Sequence, residues 1–195
     1  MTDSAITTAD LDLLSQWDTP TICNAMELVM PERRGHGFSV MPFVCAKPSL
    51  KSIVGYARTA TIRAAAPATV APADAKAHRA AYYEHVAEAD GPTIVVLEDL
   101  DPTPGIGAFW GEVNTAIHKG LGCRGVVTNG SIRDLDDCAP GFQLLAGKVG
   151  PSHAHVHVVE IGPRATVHGM TLENGDILHA DQHGAVVVPA PAVKE

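Results

Sequence analysis

The sequence predicts an α/β domain with a parallel central sheet, a second, largely antiparallel part and flanking helices. The first observation is a pair of continuous apolar runs at 93–97 and 125–128, separated by a loop and a helical segment. A strand, a helix and a second strand in this order form a βαβ unit, which builds a parallel sheet. The second observation is that short alternating segments separated by turns follow residue 140. The length of 195 residues fits a single domain over 1–195.

The N-terminal third predicts two helices and one long strand. Leucines behind a Thr/Asp start indicate a short amphipathic helix over 8–17. Thr19 followed by Pro20 resembles a cap and a first helical residue, and this second helix should run to about residue 29. Prolines and glycines make 31–50 an irregular connection with room for one short strand, and β-branched alternation predicts a strand over 53–62.

The middle of the chain carries the βαβ unit. An Ala-rich segment with charges on one face predicts an exposed-sided helix over 72–88. A Gly/Pro loop at 102–107 follows the buried strand 93–97, and a helix over 111–119 leads to the next strand. Beyond residue 140 we expect short strands at these positions: 143–145, 154–160, 165–168, 176–179 and 185–188.

Composition excludes several classes of protein. There are 14 basic and 22 acidic residues, which give a net charge of −8 and argue against a nucleic-acid partner. We find no apolar run of about 18 residues for a membrane span and no signal peptide, so a cytoplasmic protein without membrane contact is expected. The four cysteines are scattered, which favours buried free thiols over disulfides or a zinc site.

Residues 107–114 place a Gly-rich loop directly before a helix. The backbone amides of Gly111, Glu112, Val113 and Asn114 would be the unpaired donors of the helix start, suited to a carboxylate or phosphate. Any helix has such an end, so this signal alone is weak.

A second candidate site is the segment Gly130-Ser-Ile-Arg133-Asp134, which follows the buried strand 125–128. Ligands bind at the carboxyl ends of parallel strands, where Arg133 offers a guanidinium fork and Asp134 a ligand for Mg²⁺ or Mn²⁺. Pairing of Arg133 with Asp136 or Asp137 on a solvated turn is an equally good interpretation.

Histidines form a third candidate. His153, His155 and His157 alternate along the strand predicted over 154–160, so all three should share a face that could bind Zn, Fe or Cu. A half-exposed strand face or a subunit contact is the favoured interpretation. The cluster His179-Ala-Asp181-Gln-His183-Gly184 is most simply turn chemistry, with Asp181 and Gly184 fixing the backbone.

Three segments together resemble the RraA-like family. They are Trp110-Gly-Glu, then Gly122-Cys-Arg-Gly-Val-Val-Thr-Asn-Gly-Ser-Ile-Arg-Asp134, then His179-Ala-Asp-Gln-His-Gly-Ala-Val-Val-Val-Pro189. Thr19-Pro-Thr-Ile-Cys-Asn-Ala25 matches the family's N-terminal helix start, so the resemblance covers residues 19–189. The family includes 4-hydroxy-4-methyl-2-oxoglutarate (HMG/CHA) aldolases that often decarboxylate oxaloacetate, and the regulator of ribonuclease activity.

This chain departs from the aldolases of that family at three points. Glu112 stands where they typically carry Asp, and Asn129 where many members carry Asp. Family aldolases also have a C-terminal segment that lends an acidic residue to a neighbouring subunit, whereas this sequence ends at Glu195, soon after Pro189.

The resemblance implies a swivelling β/β/α domain assembled as a homotrimer or homohexamer. It also implies a divalent-metal-dependent aldolase or decarboxylase that acts on a small 2-oxo acid with a second carboxylate and yields pyruvate. Asp134 would hold Mg²⁺ or Mn²⁺, with Glu112 acting directly or through water. Arg133 would bind the 2-oxo oxygen, and the amides near Val113 and Asn114 the pyruvyl carboxylate.

Two alternatives from other classes stay open. One is a non-catalytic, protein-binding regulator of the ribonuclease-regulator type. The other is a Zn or Fe enzyme that uses His153, His155 and His157.

Overall fold

A long strand rich in β-branched residues, Ile53–Arg63, lies inside the main sheet, and helices pack on that sheet. The computed structural model describes residues 5–195. The helices are α1 (Thr8–Leu14), α2 (Thr19–Val29), α3 (Pro72–Ala87) and α4 (Glu112–Gly120). The first strands are β1 (Val44–Cys45), β2 (Ile53–Arg63), β3 (Thr93–Asp99), β4 (Ala108–Trp110), β5 (Cys123–Thr128) and β6 (Ser131–Ile132). The others are β7 (Gln143–Ala146), β8 (Lys148–Val149), β9 (His157–Ile161), β10 (Ala165–Val167), β11 (Met170–Leu172), β12 (Ile177–Asp181) and β13 (Gly184–Val188).

The largest sheet has eight strands and a parallel centre. Its order is β1-β7-β5-β3-β2-β12-β13, with β9 paired to the far half of β2. The pairs β2–β3, β3–β5 and β5–β7 are parallel, which confirms the predicted βαβ unit. The buried apolar runs of β3 and β5 suit strands covered on both faces.

The antiparallel pairs expected after residue 140 are present, and most of them extend the main sheet. Strands β9 and β12 both pair with β2, and β13 pairs with β12. Strand β7 is parallel to β5, and the separate antiparallel sheet is the two-stranded hairpin β10–β11. A further sheet, β4-β6-β8, is parallel and has three strands.

Apolar side chains fill both faces of the main sheet. On the face toward α3 and α4, Trp110, Tyr82 and Phe142 are fully buried. On the other face, Ile94 and Met170 belong to a second cluster under the β10–β11 hairpin. The four cysteines are free thiols, and no helix within residues 5–195 is long and apolar enough to cross a membrane.

The N-terminal helices differ from the prediction at their boundary. Helix α1 ends at Leu14 instead of residue 17, and the cap of α2 is Asp18, whose carboxylate accepts from Thr21 N at 2.9 Å. Thr19 is the first helical residue because its own polar groups bond elsewhere. Its amide donates to Asp181 at 2.8 Å, and its hydroxyl lies 3.0 Å from His179 Nδ1.

Candidate active site

A cavity of about 600 Å³ lies where strands β4 and β6 end side by side. The two strands are parallel, so Gly111 and Arg133, which directly follow them, are neighbours at one edge. Arg133 N donates to Trp110 O at 2.9 Å and closes this edge. All six sequence-predicted residues line the cavity: Gly111, Glu112, Val113, Asn114, Arg133 and Asp134.

Gly111 lets the two loops meet. A Cβ atom at this position would lie 2.4 Å from Asp134 Oδ2 and 3.2 Å from Arg133 Cγ. The first distance is far shorter than any real contact of a Cβ. The φ of Gly111 is −167°, an extended value that any residue adopts, so the requirement is one of space.

Asp134 is held in a left-handed conformation between Arg133 and helix α4. Its φ is 52°, uncommon for a residue with a side chain. Its Oδ2 atom lies 3.3 Å from Arg133 Nε and accepts from Glu112 N at 3.4 Å. The Asp134 carbonyl accepts from Asp137 N and Cys138 N, both at 3.0 Å, which fixes the turn. Arg133 thus pairs with Asp134, and the alternative pairing with Asp136 or Asp137 is wrong.

The start of α4 presents backbone amides to the same cavity. The first amides of a helix lack acceptors within the helix, and of these Glu112 N donates to Asp134 Oδ2. The Val113 side chain is 67% exposed, and the Glu112 carboxylate has no ion-pair partner within residues 5–195. The cavity therefore combines the amide donors of α4 and the carboxylates of Glu112 and Asp134 with the Arg133 guanidinium.

The Asn114 side chain takes part in structure instead of facing a ligand. Its Nδ2 donates to Phe109 O, and its Oδ1 accepts from Tyr83 Oη at 3.2 Å. The backbone of Asn114 accepts from His118 Nδ1 at 2.6 Å, and His118 Nε2 accepts from Tyr82 Oη at 2.8 Å. Burial lowers the pKa of His118 to about 4, so this ring is neutral near pH 7.

The three histidines at 153, 155 and 157 do not form the predicted strand face. Strand β9 begins only at His157, because Ala154 takes a φ of 44° and turns the chain, so the three histidines do not alternate along a strand. His153 Nδ1 bonds to Ala154 O and His157 Nδ1 to His155 O, both at 2.8 Å. His153, His155 and His157 do line the cavity, yet no group of three metal-binding side chains suited to an ion is found within residues 5–195.

The His179–Gly184 segment contains the turn between β12 and β13, as predicted. Asp181 Oδ1 accepts from His183 N at 2.8 Å, and Gly184 has a φ of 139°. Asp181 and the buried His179 also hold the first residue of α2, a function that nearby sequence does not reveal.

One further group at the cavity, Arg79, escapes sequence reasoning, whereas Asn129, which the sequence singles out, lies outside the cavity. Arg79 of α3 lines it, although the pattern of that helix indicates only a solvated charged face. Asn129 holds the neighbouring strand end, since its Oδ1 accepts from Asp99 N at 2.7 Å and its Nδ2 donates to Asp99 O at 3.0 Å. Burial raises the pKa of Asp99, although its carboxylate accepts from the amides of Gly105 and Asp101.

Comparison with known proteins agrees with this fold. The sequence profile of the RraA-like family, described as Aldolase/RraA, matches residues 19–187. The Streptomyces coelicolor protein RraAS2, described as an unusual member of the RNase ES inhibitor RraA family, has a TM-score of 0.73. It is 19% identical, with 97% of this chain and 90% of that one covered. The RNA-processing inhibitor RraA from Thermus thermophilis has a TM-score of 0.59 at 19% identity, covering 86% of this chain and 92% of that one.

A curated relative carries no assigned activity. The uncharacterized protein MJ0644 of Methanocaldococcus jannaschii is 32% identical over 90 residues, which is 45% of this chain and 43% of that protein. The match therefore spans less than half the length of this relative. The family profile covers most of the chain and includes the loops that follow β4 and β6. The solved structures share the fold. The protein belongs to the RraA-like family, which includes both aldolase/decarboxylase members and ribonuclease regulators.

Proposed function

We propose that the protein is a divalent-metal-dependent lyase of the class II aldolase/decarboxylase type. Its substrate would be a small 4-carboxy-2-oxo acid of the HMG or oxaloacetate type, and its product pyruvate. The observation that supports this most is the contact of Arg133 and Asp134 with Gly111 at the start of α4. It brings a guanidinium, a carboxylate and helix amides together, which are the groups a 2-oxo acid needs.

The residues have distinct roles in the proposed reaction. The pyruvyl carboxylate binds the amides of Val113 and Asn114, and the Arg133 guanidinium donates to the 2-oxo oxygen. When the bond between C3 and C4 breaks, its electron pair moves into the pyruvate enolate. With HMG the 4-hydroxyl loses its proton to solvent and C4 becomes the carbonyl of a second pyruvate, whereas oxaloacetate releases CO₂. The enolate then takes up a proton from solvent at C3 to give pyruvate. Arg133 stabilises the negative charge that develops on the enolate oxygen, and such a donor acts mainly in the transition state.

The donor set fits Mg²⁺ or Mn²⁺. Mg²⁺ is usually bound by one or two carboxylates, while waters and substrate oxygens complete its shell. Asp134 would hold the ion, and Glu112, which lines the same cavity, would act directly or through water. When bound, the ion supplies positive charge that polarises the 2-oxo group. The absence of a group of three ligands within residues 5–195 argues against the His-ligated zinc or iron alternative.

The first prediction tests Arg133 and Asp134. Arg133→Ala and Asp134→Ala should each lower pyruvate release from HMG and oxaloacetate by at least about 100-fold, because a transition-state donor or the metal ligand is lost. A coupled lactate dehydrogenase assay with Mg²⁺ measures the rate, and excess EDTA should abolish it. Arg164→Ala is the matched control, since Arg164 is an exposed arginine paired with Glu173 at 3.4 Å in another loop.

The outcome decides between the two classes of the family. Full activity of either variant, or activity that survives EDTA, contradicts the proposal. A wild-type protein without turnover that retains a ribonuclease in a pull-down would establish the regulator instead, the role named for two of the structural relatives. A homotrimer or homohexamer and a cytoplasmic location complete the proposal, and both rest on the family resemblance and the sequence.

A further inference from the structure

The candidate active site contains a second guanidinium that the proposed reaction does not use. Arg79, on α3, lines the same cavity as Arg133 and Asp134. Arg133 already has a carboxylate beside it, with its Nε atom 3.3 Å from Asp134 Oδ2. Within residues 5–195 no carboxylate lies within ion-pair distance of Arg79. Arg79 is therefore a cation of this cavity that no carboxylate among the described residues neutralises.

Contacts of α3 hold Arg79 on the cavity side. Tyr83 follows Arg79 by four residues, so the two side chains share one face of the helix. The Tyr83 hydroxyl donates to Asn114 Oδ1 at 3.2 Å, and Asn114 Nδ2 donates to Phe109 O. Asn114 lies in the first turn of α4, whose amides are the proposed carboxylate site. The face of α3 that carries Arg79 is thus joined directly to that site.

Arg79 also marks the boundary of the cavity. A neighbouring cavity of about 640 Å³, between α3 and β9, shares Ala68, Arg79 and His157 with the first. A substrate whose 2-oxo acid end lies at Arg133 would have its other end in the same cavity, which Arg79 also lines. The group that best fits an unneutralised guanidinium is a carboxylate, which can accept two parallel hydrogen bonds.

We propose that Arg79 binds the second carboxylate of the substrate and makes the enzyme select dicarboxylic over monocarboxylic 2-oxo acids. This inference rests on the proposed function for its substrate class. The residue that would determine specificity thus lies on α3, outside the loops that follow β4 and β6.

Binding of two stable ligands tests this role independently of turnover. 2-Oxoglutarate and 2-oxopentanoate have the same chain length and the same 2-oxo acid end, and differ in a terminal carboxylate against a methyl group. Titration calorimetry with Mg²⁺ present should give wild type at least a tenfold preference for 2-oxoglutarate, about the value of one charge-assisted hydrogen bond. Arg79→Gln should remove the preference by weakening 2-oxoglutarate alone, and Arg79→Lys should restore part of it.

Lys76→Gln is the matched control. Lys76 is an exposed cation of the same helix that lines the neighbouring cavity and not the first, so its variant should keep the wild-type preference. Equal or absent binding of both ligands by wild type overturns the inference, as does an Arg79→Gln variant with an unchanged preference or an equal loss for both. A wild type that prefers 2-oxoglutarate but releases no pyruvate from HMG or oxaloacetate disproves the lyase activity and leaves the role of Arg79 standing.

Discussion

At the residue scale, the site depends on the lack of a side chain at Gly111. This lets the carboxylate of Asp134 approach the start of α4, whereas a Cβ at Gly111 would come within 2.4 Å of Asp134 Oδ2. Two amides that bond to the Asp134 carbonyl hold its backbone in a left-handed turn, so the clash would be relieved by rotation of its side chain. A side chain at position 111 would therefore displace the carboxylate and the neighbouring Arg133.

We predict that Gly111→Ala lowers pyruvate release at least about tenfold while the protein stays folded, because small displacements of a catalytic group are costly. Initial rates and the thermal midpoint measure the two effects. Gly120→Ala is the control at the other end of the same helix, since a Cβ there meets nothing within 4 Å. Unchanged activity of Gly111→Ala would show that Asp134 need not lie where the structure has it.

Sequence reasoning finds some of these residues and misses others for a physical reason. Arg133 and Asp134 are recognisable because they follow a buried strand of a parallel sheet, where ligands bind. The space requirement at Gly111 is not recognisable from the sequence, because the atoms that impose it belong to residues more than twenty positions later. Arg79 is missed as well, since a charge on a helix face indicates solvent until the opposite wall of the cavity is known.

At the element scale, the N-terminal helices depend on the turn between β12 and β13. The buried Asp181 carboxylate accepts from Thr19 N at 2.8 Å, from Ser52 Oγ at 3.3 Å and from His183 N at 2.8 Å. His179 Nε2 lies 3.2 Å from Trp17 O, so the segment between α1 and α2 is bound at several points. One turn thus fixes where α2 crosses the sheet.

We predict that Asp181→Ala lowers the free energy of unfolding by about 2–4 kcal/mol, because it leaves the buried Thr19 amide and the partly buried His183 amide without an acceptor. Urea unfolding followed by circular dichroism measures the change. Asp90→Ala removes an exposed carboxylate with no hydrogen bond within residues 5–195, and should change the value by less than about 0.5 kcal/mol. A similar small effect for Asp181→Ala would mean that α2 is held by apolar contacts alone.

Elements are predicted well where local pattern decides and poorly where a distant contact decides. The βαβ unit and the helices α2 and α4 follow from apolar runs, Pro and Gly positions. The strand expected over 154–160 is shorter because His155 N bonds to Ala64 O and the chain turns at Ala154. Strand β7 joins the parallel side of the sheet, a pairing that alternation alone does not encode.

At the scale of the whole molecule, several histidines are held neutral by the fold. His118 is fully buried between Tyr82 and the backbone of α4, and burial lowers its pKa from 6.5 to about 4. Burial also lowers the pKa of His179, His85 and His168. Each ring binds a proton more readily in the unfolded chain than in the folded protein, so acid favours unfolding.

We therefore predict that stability is complete above about pH 6.5 and falls as the pH drops toward 4. The unfolded chain binds the extra proton in this range, and the pKa difference of His118 alone corresponds to about 3 kcal/mol at the acid end and about 2 kcal/mol at pH 5. Urea unfolding at pH 7.5, 6 and 5 measures the slope. His118→Gln cannot titrate and should flatten it, whereas Tyr82→Phe removes the hydrogen bond to Nε2 but keeps a titrating ring, and should lower stability at every pH with the slope retained. A free energy of unfolding that is constant from pH 7.5 to 5 in wild type would contradict a neutral, buried His118.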